Sequence, residues 1–211
     1  RLAVHENQGR TATLLATEGR VLAIFAVADT IKESSREAIT DLHRLGVTSV
    51  MLTGDNVATA TSIARLAGID DARGNLLPED KLAAIEELQG RHGPTAMTGD
   101  GINDAPALAR ADIGVAMGAA GTDTAMEAAD VVIMNDDLRR IPETIRLSRQ
   151  THAVLWQNIA LALGIKVVFL GLAVFGNATM WMAVFADMGA SLLVVANGLR
   201  TLRTSAPQTR D

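Results

Sequence analysis

Two apolar stretches near the C-terminus, about residues 153–176 and 179–199, constrain this chain more than any other feature. Each holds more than 20 residues, enough for a helix to cross ~30 Å of hydrocarbon at ~1.5 Å per residue. Only Asn177-Ala178 separate them, directly after Gly176, so a tight helical hairpin is predicted. Arg139, Arg140, Arg146 and Arg149 precede the first stretch, and Arg200 and Arg203 follow the second. Positive charge at both outer ends predicts that both ends are cytoplasmic. Charge is divided accordingly: residues 1–150 carry 15 Lys/Arg against 22 Asp/Glu, and residues 151–211 carry 4 against 2. This pattern excludes a disordered chain and an ordinary soluble protein, and the absence of cysteine excludes a disulfide scaffold. Six aromatic residues and no basic patch argue against a nucleic-acid partner.

Between Arg149 and Arg200 the only charged residues are Lys166 and Asp187. Counted from the turn they lie ~17 and ~14 Å deep, close to the midplane and to each other in height. An ionisable group there costs at least ~2.5–3.5 kcal/mol on insertion scales. One reading is a pair that merely neutralises itself. The other is an ion pathway in which the Asp187 carboxylate binds a cation and the Lys166 ammonium tunes or competes for it. Ala183, Ala190, Ser191 and Gly198 fall on the same stripe as Asp187, where small side chains permit close packing or a cavity. Asn158 and Asn197 are expected to hydrogen-bond between the helices rather than to act as ligands.

The preceding segment alternates short apolar runs with helical periods. Strands are predicted at Val21–Val27, Val47–Leu52, Pro94–Met97, Asp112–Met117 and Asp130–Met134. Helices are predicted at Ser34–Leu45, Asn56–Ala67, Glu79–Leu88, Ala105–Ala111 and near Thr122–Ala129, with a last one from about Leu138 toward the membrane. Such alternation predicts an α/β domain with a parallel sheet covered on both faces, its ligands bound beyond the carboxyl ends of the strands.

Three polar motifs fall at those ends. Thr53-Gly54-Asp55 precedes a helix, Lys81 opens a helix within Pro78-Glu79-Asp80-Lys81, and Thr98-Gly99-Asp100-Gly101-Ile102-Asn103-Asp104 follows an apolar run. A hydroxyl beside backbone N–H groups can hold phosphate oxygens, and a lysine can neutralise a transferring phosphoryl group. Carboxylates at Asp100 and Asp104 suit Mg2+, which prefers oxygen ligands and retains waters. Singly, each motif has a plainer reading: a turn with a helix cap, a solvated lysine, a calcium-like loop. Their order at successive strand ends favours the chemistry.

The strings Met51-Leu52-Thr53-Gly54-Asp55-Asn56 and Gly99-Asp100-Gly101-Ile102-Asn103-Asp104-Ala105-Pro106-Ala107-Leu108 resemble the haloacid-dehalogenase-like phosphotransferases, and within them the P-type ATPases. The likeness continues through Val115-Ala116-Met117-Gly118 to Asp130-Val131-Val132 and covers about Gly19 to Arg203. Asn158-Ile159 with Lys166, and Asp187-Met188-Gly189, resemble the zinc/cadmium/lead exporters of the heavy-metal branch. Copper pumps typically show Tyr-Asn and Met-Ser-Ser in these helices, and cobalt-type members carry His-Glu-Gly where this chain has Asp187-Met188-Gly189.

The resemblance implies a Rossmannoid phosphorylation domain over residues 27–150, two transmembrane helices within 151–203 and a cytoplasmic tail at 204–211. Residues 1–26 would be the last strands of a nucleotide-binding domain. Thr53 and Gly54 would contact the phosphoryl group, Asp55 would position their loop, and Lys81 would stabilise its charge. Asp100 would hold Mg2+, with Asn103 and Asp104 supporting the phosphate–metal geometry. Asp187 would bind the transported Zn2+, Cd2+ or Pb2+, with Lys166 as its tuning cation. The family's nucleophilic aspartate, in Asp-Lys-Thr-Gly-Thr, is not in this sequence; Asp29-Thr30 matches the family's hinge aspartate instead. ATP would be bound mainly by a nucleotide-binding domain outside this chain, and the partners would be membrane lipid, upstream membrane helices and an actuator domain. The chain alone is then not expected to turn over ATP, and a bacterial inner membrane is the expected location, with residues 1–150 and the C-terminus cytoplasmic. The rival readings are a phosphatase domain with a membrane anchor and a non-catalytic or regulatory pump fragment.

Overall fold

The computed structural model describes residues 11–27, 31–118, 123–176 and 179–204. The expectations for residues 1–10, Asp29-Thr30, the Asn177-Ala178 turn and residues 205–211 lie outside them. By internal contacts the chain divides into two units, Arg1–Pro142 and Glu143–Asp211.

The first unit opens with an antiparallel hairpin of β1 (Thr11–Thr17) and β2 (Arg20–Val27). Its turn contains Gly19 at φ +82°, a left-handed conformation that glycine adopts without a Cβ penalty. Leu14, Leu15, Val21, Leu22 and Phe25 are all exposed on this hairpin. Then follow α1 (Glu33–Arg44), β3 (Val50–Leu52), α2 (Val57–Ala67), β4 (Asp71–Arg73), α3 (Pro78–His92) and β5 (Ala96–Gly99). A 3-10 turn at Ile102–Asp104 leads into α4 (Ala105–Arg110), β6 (Ile113–Met117), α5 (Asp123–Ala128) and β7 (Val131–Ile133).

The strands from β3 onward pair in parallel, as the alternation predicts, but in two pieces. β3 pairs with β4, Met51 opposite Ala72. β5, β6 and β7 form the other, with Thr98 opposite Val115 and Met117 opposite Ile133. Among the described residues no ladder joins β3 to β5. The interior is nonetheless shared: Ile85, Met97, Ala107, Leu108 and Ala125 form one buried cluster, and Leu52 of β3 packs against it. Val115, Met117 and Ile133 form a second, with Leu138 and Ile141 against it.

The predicted strands differ from the observed ones by at most one residue at a boundary, except β3 and β5, which start two or three residues late because of competing hydrogen bonds. β3 begins at Val50 rather than Val47, because the Val47 N–H donates to Leu42 O (3.0 Å) at the end of α1 and Ser49 is held by Asp70. β5 runs from Ala96 to Gly99 rather than from Pro94 to Met97. Pro94 has no N–H, and the Thr95 N–H donates to Asp112 Oδ2 (2.8 Å), so the ladder starts one residue later. Strand β4 was not anticipated.

Ser49 and Asp70 form a lock beside β3. Asp70 Oδ2 accepts from Ser49 N (2.7 Å) and Ser49 Oγ (2.9 Å), and lies 2.9 Å from His43 Nε2 at the end of α1. The Ser49 N–H, before the hydroxyl and the His43 ring, holds the Asp70 carboxyl below its ordinary value of 3.8. A carboxyl depressed in the folded state stabilises it above the unfolded value and loses that contribution as pH falls through the folded one. Exchange protection of the Ser49 amide is therefore expected to fall between about pH 5 and pH 2, with Asp70→Asn removing the dependence. An unchanged profile in that variant would contradict the assignment.

In the second unit α6 (Arg140–Val174), which begins within the first, is one uninterrupted helix, and α7 (Met180–Thr204) follows. Both are long and apolar enough to cross a membrane. The expected amide contact is present. Asn197 Nδ2 donates to Asn158 Oδ1 (2.9 Å) and Gln157 Oε1 (3.3 Å), and Arg200 donates to Asn197 Oδ1 (3.0 Å).

Candidate active site

Lys81 reaches the site through the start of its helix. Pro78 fixes the first turn of α3, and the Leu77 N–H donates to Asp80 Oδ2 (2.9 Å). This directs Lys81 Nζ onto Asp104 Oδ1 at 2.7 Å, with the two side chains only 15% and 13% exposed. A pair so enclosed is held by its geometry. Removing either partner leaves an uncompensated charge, at a cost of about 3–5 kcal/mol.

Asp104 is positioned by the loop it closes. Its N–H donates to Gly101 O (3.0 Å), and its Oδ2 accepts from Gly101 N (3.4 Å). A Cβ at Gly99 would stand 2.7 Å from Asp104 Cβ, so glycine is what allows the strand end and the carboxylate to approach. Thr98, Gly99, Asp100, Asp104 and Lys81 line one cavity of about 580 Å3, which Leu52 and Met97 also border.

The Thr53-Gly54-Asp55 loop is built separately. Thr53 Oγ1 accepts from the Asp55 N–H (3.1 Å) and donates to Asp55 Oδ2 (3.2 Å), so hydroxyl and carboxylate hold each other. A second loop braces it: the Thr53 N–H donates to Arg73 O (3.0 Å), Leu76 N to Thr53 O (3.1 Å) and Asn75 N to Asp55 O (2.6 Å). A Cβ on Gly74 would fall 2.8 Å from Asp55 O and from the Val57 backbone, and Asn75 sits at φ +57°. Gly74 and Asn75 belong to no apolar period or polar motif, although glycine and asparagine between elements are a turn signal.

The structure thus brings Lys81, Asp100 and Asp104 to one cavity, whereas Thr53, Gly54, Asp55 and Asn103 do not border it. Lys32 and Asp136, not singled out by sequence, do. Of the three carboxylates bordering this cavity, Asp100 and Asp104 fit Mg2+, which binds through one or two protein carboxylates and keeps its waters. No cluster of three acidic, histidine or cysteine side chains suited to a metal occurs among the described residues.

In the hairpin unit Lys166 and Asp187 are both exposed, and among the described residues no ion pair joins them. Ala190, on the Asp187 stripe, is 8% exposed, and Ser191 Oγ donates to Asp187 O (2.9 Å).

The family model for haloacid dehalogenase-like hydrolases matches residues 1–112. A probable cadmium-transporting ATPase of Alkalihalophilus pseudofirmus is 50% identical over 199 residues, covering 94% of this chain and 28% of that protein. The zinc/cadmium/lead-transporting P-type ATPase of Escherichia coli is 48% identical over 198 residues, covering 94% and 27%. The crystal structure of a zinc-transporting PIB-type ATPase in the E2.Pi state superposes with a TM-score of 0.85 at 46% identity, covering 96% of this chain and 33% of that one. The chain therefore spans between a quarter and a third of the length of these three proteins.

Proposed function

Because this chain belongs to the haloacid dehalogenase-like hydrolase family, we propose that its first unit is the phosphoryl-transfer domain of a P-type pump exporting Zn2+, Cd2+ or Pb2+, and that its helical hairpin helps bind that cation. The enclosed Lys81–Asp104 pair at the carboxyl end of β5 is the observation that carries this reading. It is a fixed cation and a fixed anion at the rim of one cavity, where a transferring phosphoryl group and its metal are handled together.

In this reading Thr53 Oγ1, once its proton turns from Asp55 Oδ2, and the Gly54 N–H bind phosphoryl oxygens, and Asp55 positions their loop through its own N–H bond to Thr53 Oγ1. Lys81 neutralises charge building on those oxygens. Asp100 holds Mg2+, with Asp104 supporting it through water and Asn103 holding the loop. When bound, Mg2+ supplies charge neutralisation at the phosphoryl oxygens. ATP is delivered by a nucleotide-binding domain to which the β1–β2 hairpin belongs. A two-stranded hairpin with apolar side chains exposed is marginal alone, which supports its being part of a larger sheet. The acceptor aspartate comes from a part of the full-length protein beyond this sequence. The absence of a ladder between β3 and β5 among the described residues, with Leu52 and Met97 bordering one cavity, supports an added strand in that gap.

Asp187 and Lys166 carry the membrane half. Exposed on a two-helix unit, they need further helices around them, since lipid penalises a lone charge by several kcal/mol. The pump lies in a bacterial inner membrane with its first unit in the cytoplasm; the arginines flanking the hairpin support that orientation. Asp100→Asn in the full-length protein tests the phosphoryl-transfer assignment. Mg2+-dependent phosphoenzyme is expected to disappear while membrane insertion is unchanged. Normal phosphoenzyme levels would reject Asp100 as the metal ligand.

A further inference from the structure

The connector from β7 to α6, residues 134–139, is tied to the start of α1 by two ion pairs of opposite sense. Lys32 Nζ of the α1 N-terminus lies 3.5 Å from Asp136 Oδ2, and Arg139 of the connector donates to Glu37 Oε2 at 3.1 Å. Arg139 also donates to Asp137 Oδ2 at 2.8 Å, which holds the Asp137 carboxyl below its ordinary range. Asp136 adopts φ +50°, a left-handed conformation that costs a non-glycine residue about 1–2 kcal/mol unless its surroundings hold it.

Lys32 and Asp136 also border the cavity of Lys81, Asp100 and Asp104, so the two cavity lysines can be compared. Lys81 is 15% exposed on a partner 2.7 Å away, whereas Lys32 is 67% exposed and Asp136 37%. Exposed pairs of this kind contribute at most about 1 kcal/mol. They add little stability but are weak enough to be exchanged for a better partner. Lys81 is the fixed cation of the cavity and Lys32 the adjustable one.

We propose that Lys32–Asp136 and Glu37–Arg139 form a clasp setting the position of the connector, and that Lys32 leaves Asp136 for an anionic phosphoryl group in the cavity. Asp136 is then a positioning residue, and Lys32 contacts the phosphoryl group when the cavity is filled. Occupation of the cavity frees one of the two ties on the segment that leads into α6. The second half of this inference rests on the phosphoryl-transfer reading above; the clasp does not.

Hydrogen exchange of the amides of residues 134–139 in the full-length protein tests it without requiring turnover. Lys32→Glu and Asp136→Lys are each expected to speed exchange about three- to five-fold, the loss of one exposed pair. The double exchange Lys32→Glu/Asp136→Lys is expected to restore protection. Asp136→Gly, which tolerates the left-handed backbone but removes the carboxylate and loosens the chain, should exchange at least as fast as Lys32→Glu. Mg2+ with orthovanadate, a phosphoryl mimic, should speed exchange in the unmodified protein and leave Asp136→Gly unaffected. Unchanged exchange in the single variants, or no rescue by the double exchange, overturns the clasp. Vanadate that inhibits ATP hydrolysis without altering exchange overturns its response to the cavity. If the unmodified protein forms no acid-stable phosphoenzyme, the pump reading fails, and the charge-exchange series still decides the clasp.

Discussion

Lys81→Ala in the full-length protein is expected to slow phosphoenzyme formation from ATP by about 10^2–10^3-fold, the scale of losing one preorganised charge stabiliser. Two effects are superposed, because Lys81 also compensates Asp104 at 2.7 Å. With the ammonium removed, a carboxylate only 13% exposed is left without its partner, costing about 3–5 kcal/mol of folding stability. The two are separable. Lys81→Met with Asp104→Asn removes both charges at nearly conserved volume and should recover most of the stability. It should not recover phosphoryl transfer, since the cation for the developing charge is still absent. Rapid-quench measurement of phosphoenzyme formation beside thermal unfolding reads both. A rate within ten-fold of the unmodified protein would remove Lys81 from the transfer step.

Asp187→Ala is expected to abolish stimulation of ATP hydrolysis by Zn2+ and Cd2+ while phosphorylation by inorganic phosphate survives. The asymmetry follows from the reading: phosphate enters the cytoplasmic cavity directly, whereas forward phosphorylation waits for the cation to fill the membrane site. Asp187 is exposed on its helix without an ion-pair partner among the described residues. A carboxylate kept at that depth against a penalty of several kcal/mol needs a counter-charge, and a transported cation supplies one. Persistent metal stimulation in the variant would make Asp187 structural. Loss of both activities would indicate a misfolded hairpin and reject the selective role.

What could be read from sequence follows from where information is locally dense. The hairpin was legible because two apolar runs of membrane length have few other uses. Lys81, Asp100 and Asp104, which the structure brings to one cavity, stand out in the sequence because polar residues with glycines at strand ends mark a candidate ligand site. The Asn158–Asn197 contact was legible because few other polar residues interrupt the spans. Strand β4, Asp-Ala-Arg, has no apolar period, and its Gly74-Asn75 turn shows its purpose only when the Asp55 carbonyl is seen against it. The start of β5 depended on Asp112, distant in sequence, capturing the Thr95 N–H. Lys32 and Asp136 are 104 positions apart, and no periodicity links residues across that separation. The break between β3 and β5 was invisible because apolar runs report strands and not which strands pair.

The central claim, that this phosphoryl site and this hairpin serve one pump, is tested most directly by ATP-driven cation uptake into inverted membrane vesicles containing the full-length protein. Uptake of Zn2+ or Cd2+ that requires Mg2+ and ATP, and is lost in both Asp100→Asn and Asp187→Ala, is the predicted result. Uptake that survives either substitution, or ATP hydrolysis indifferent to the cation, would contradict it.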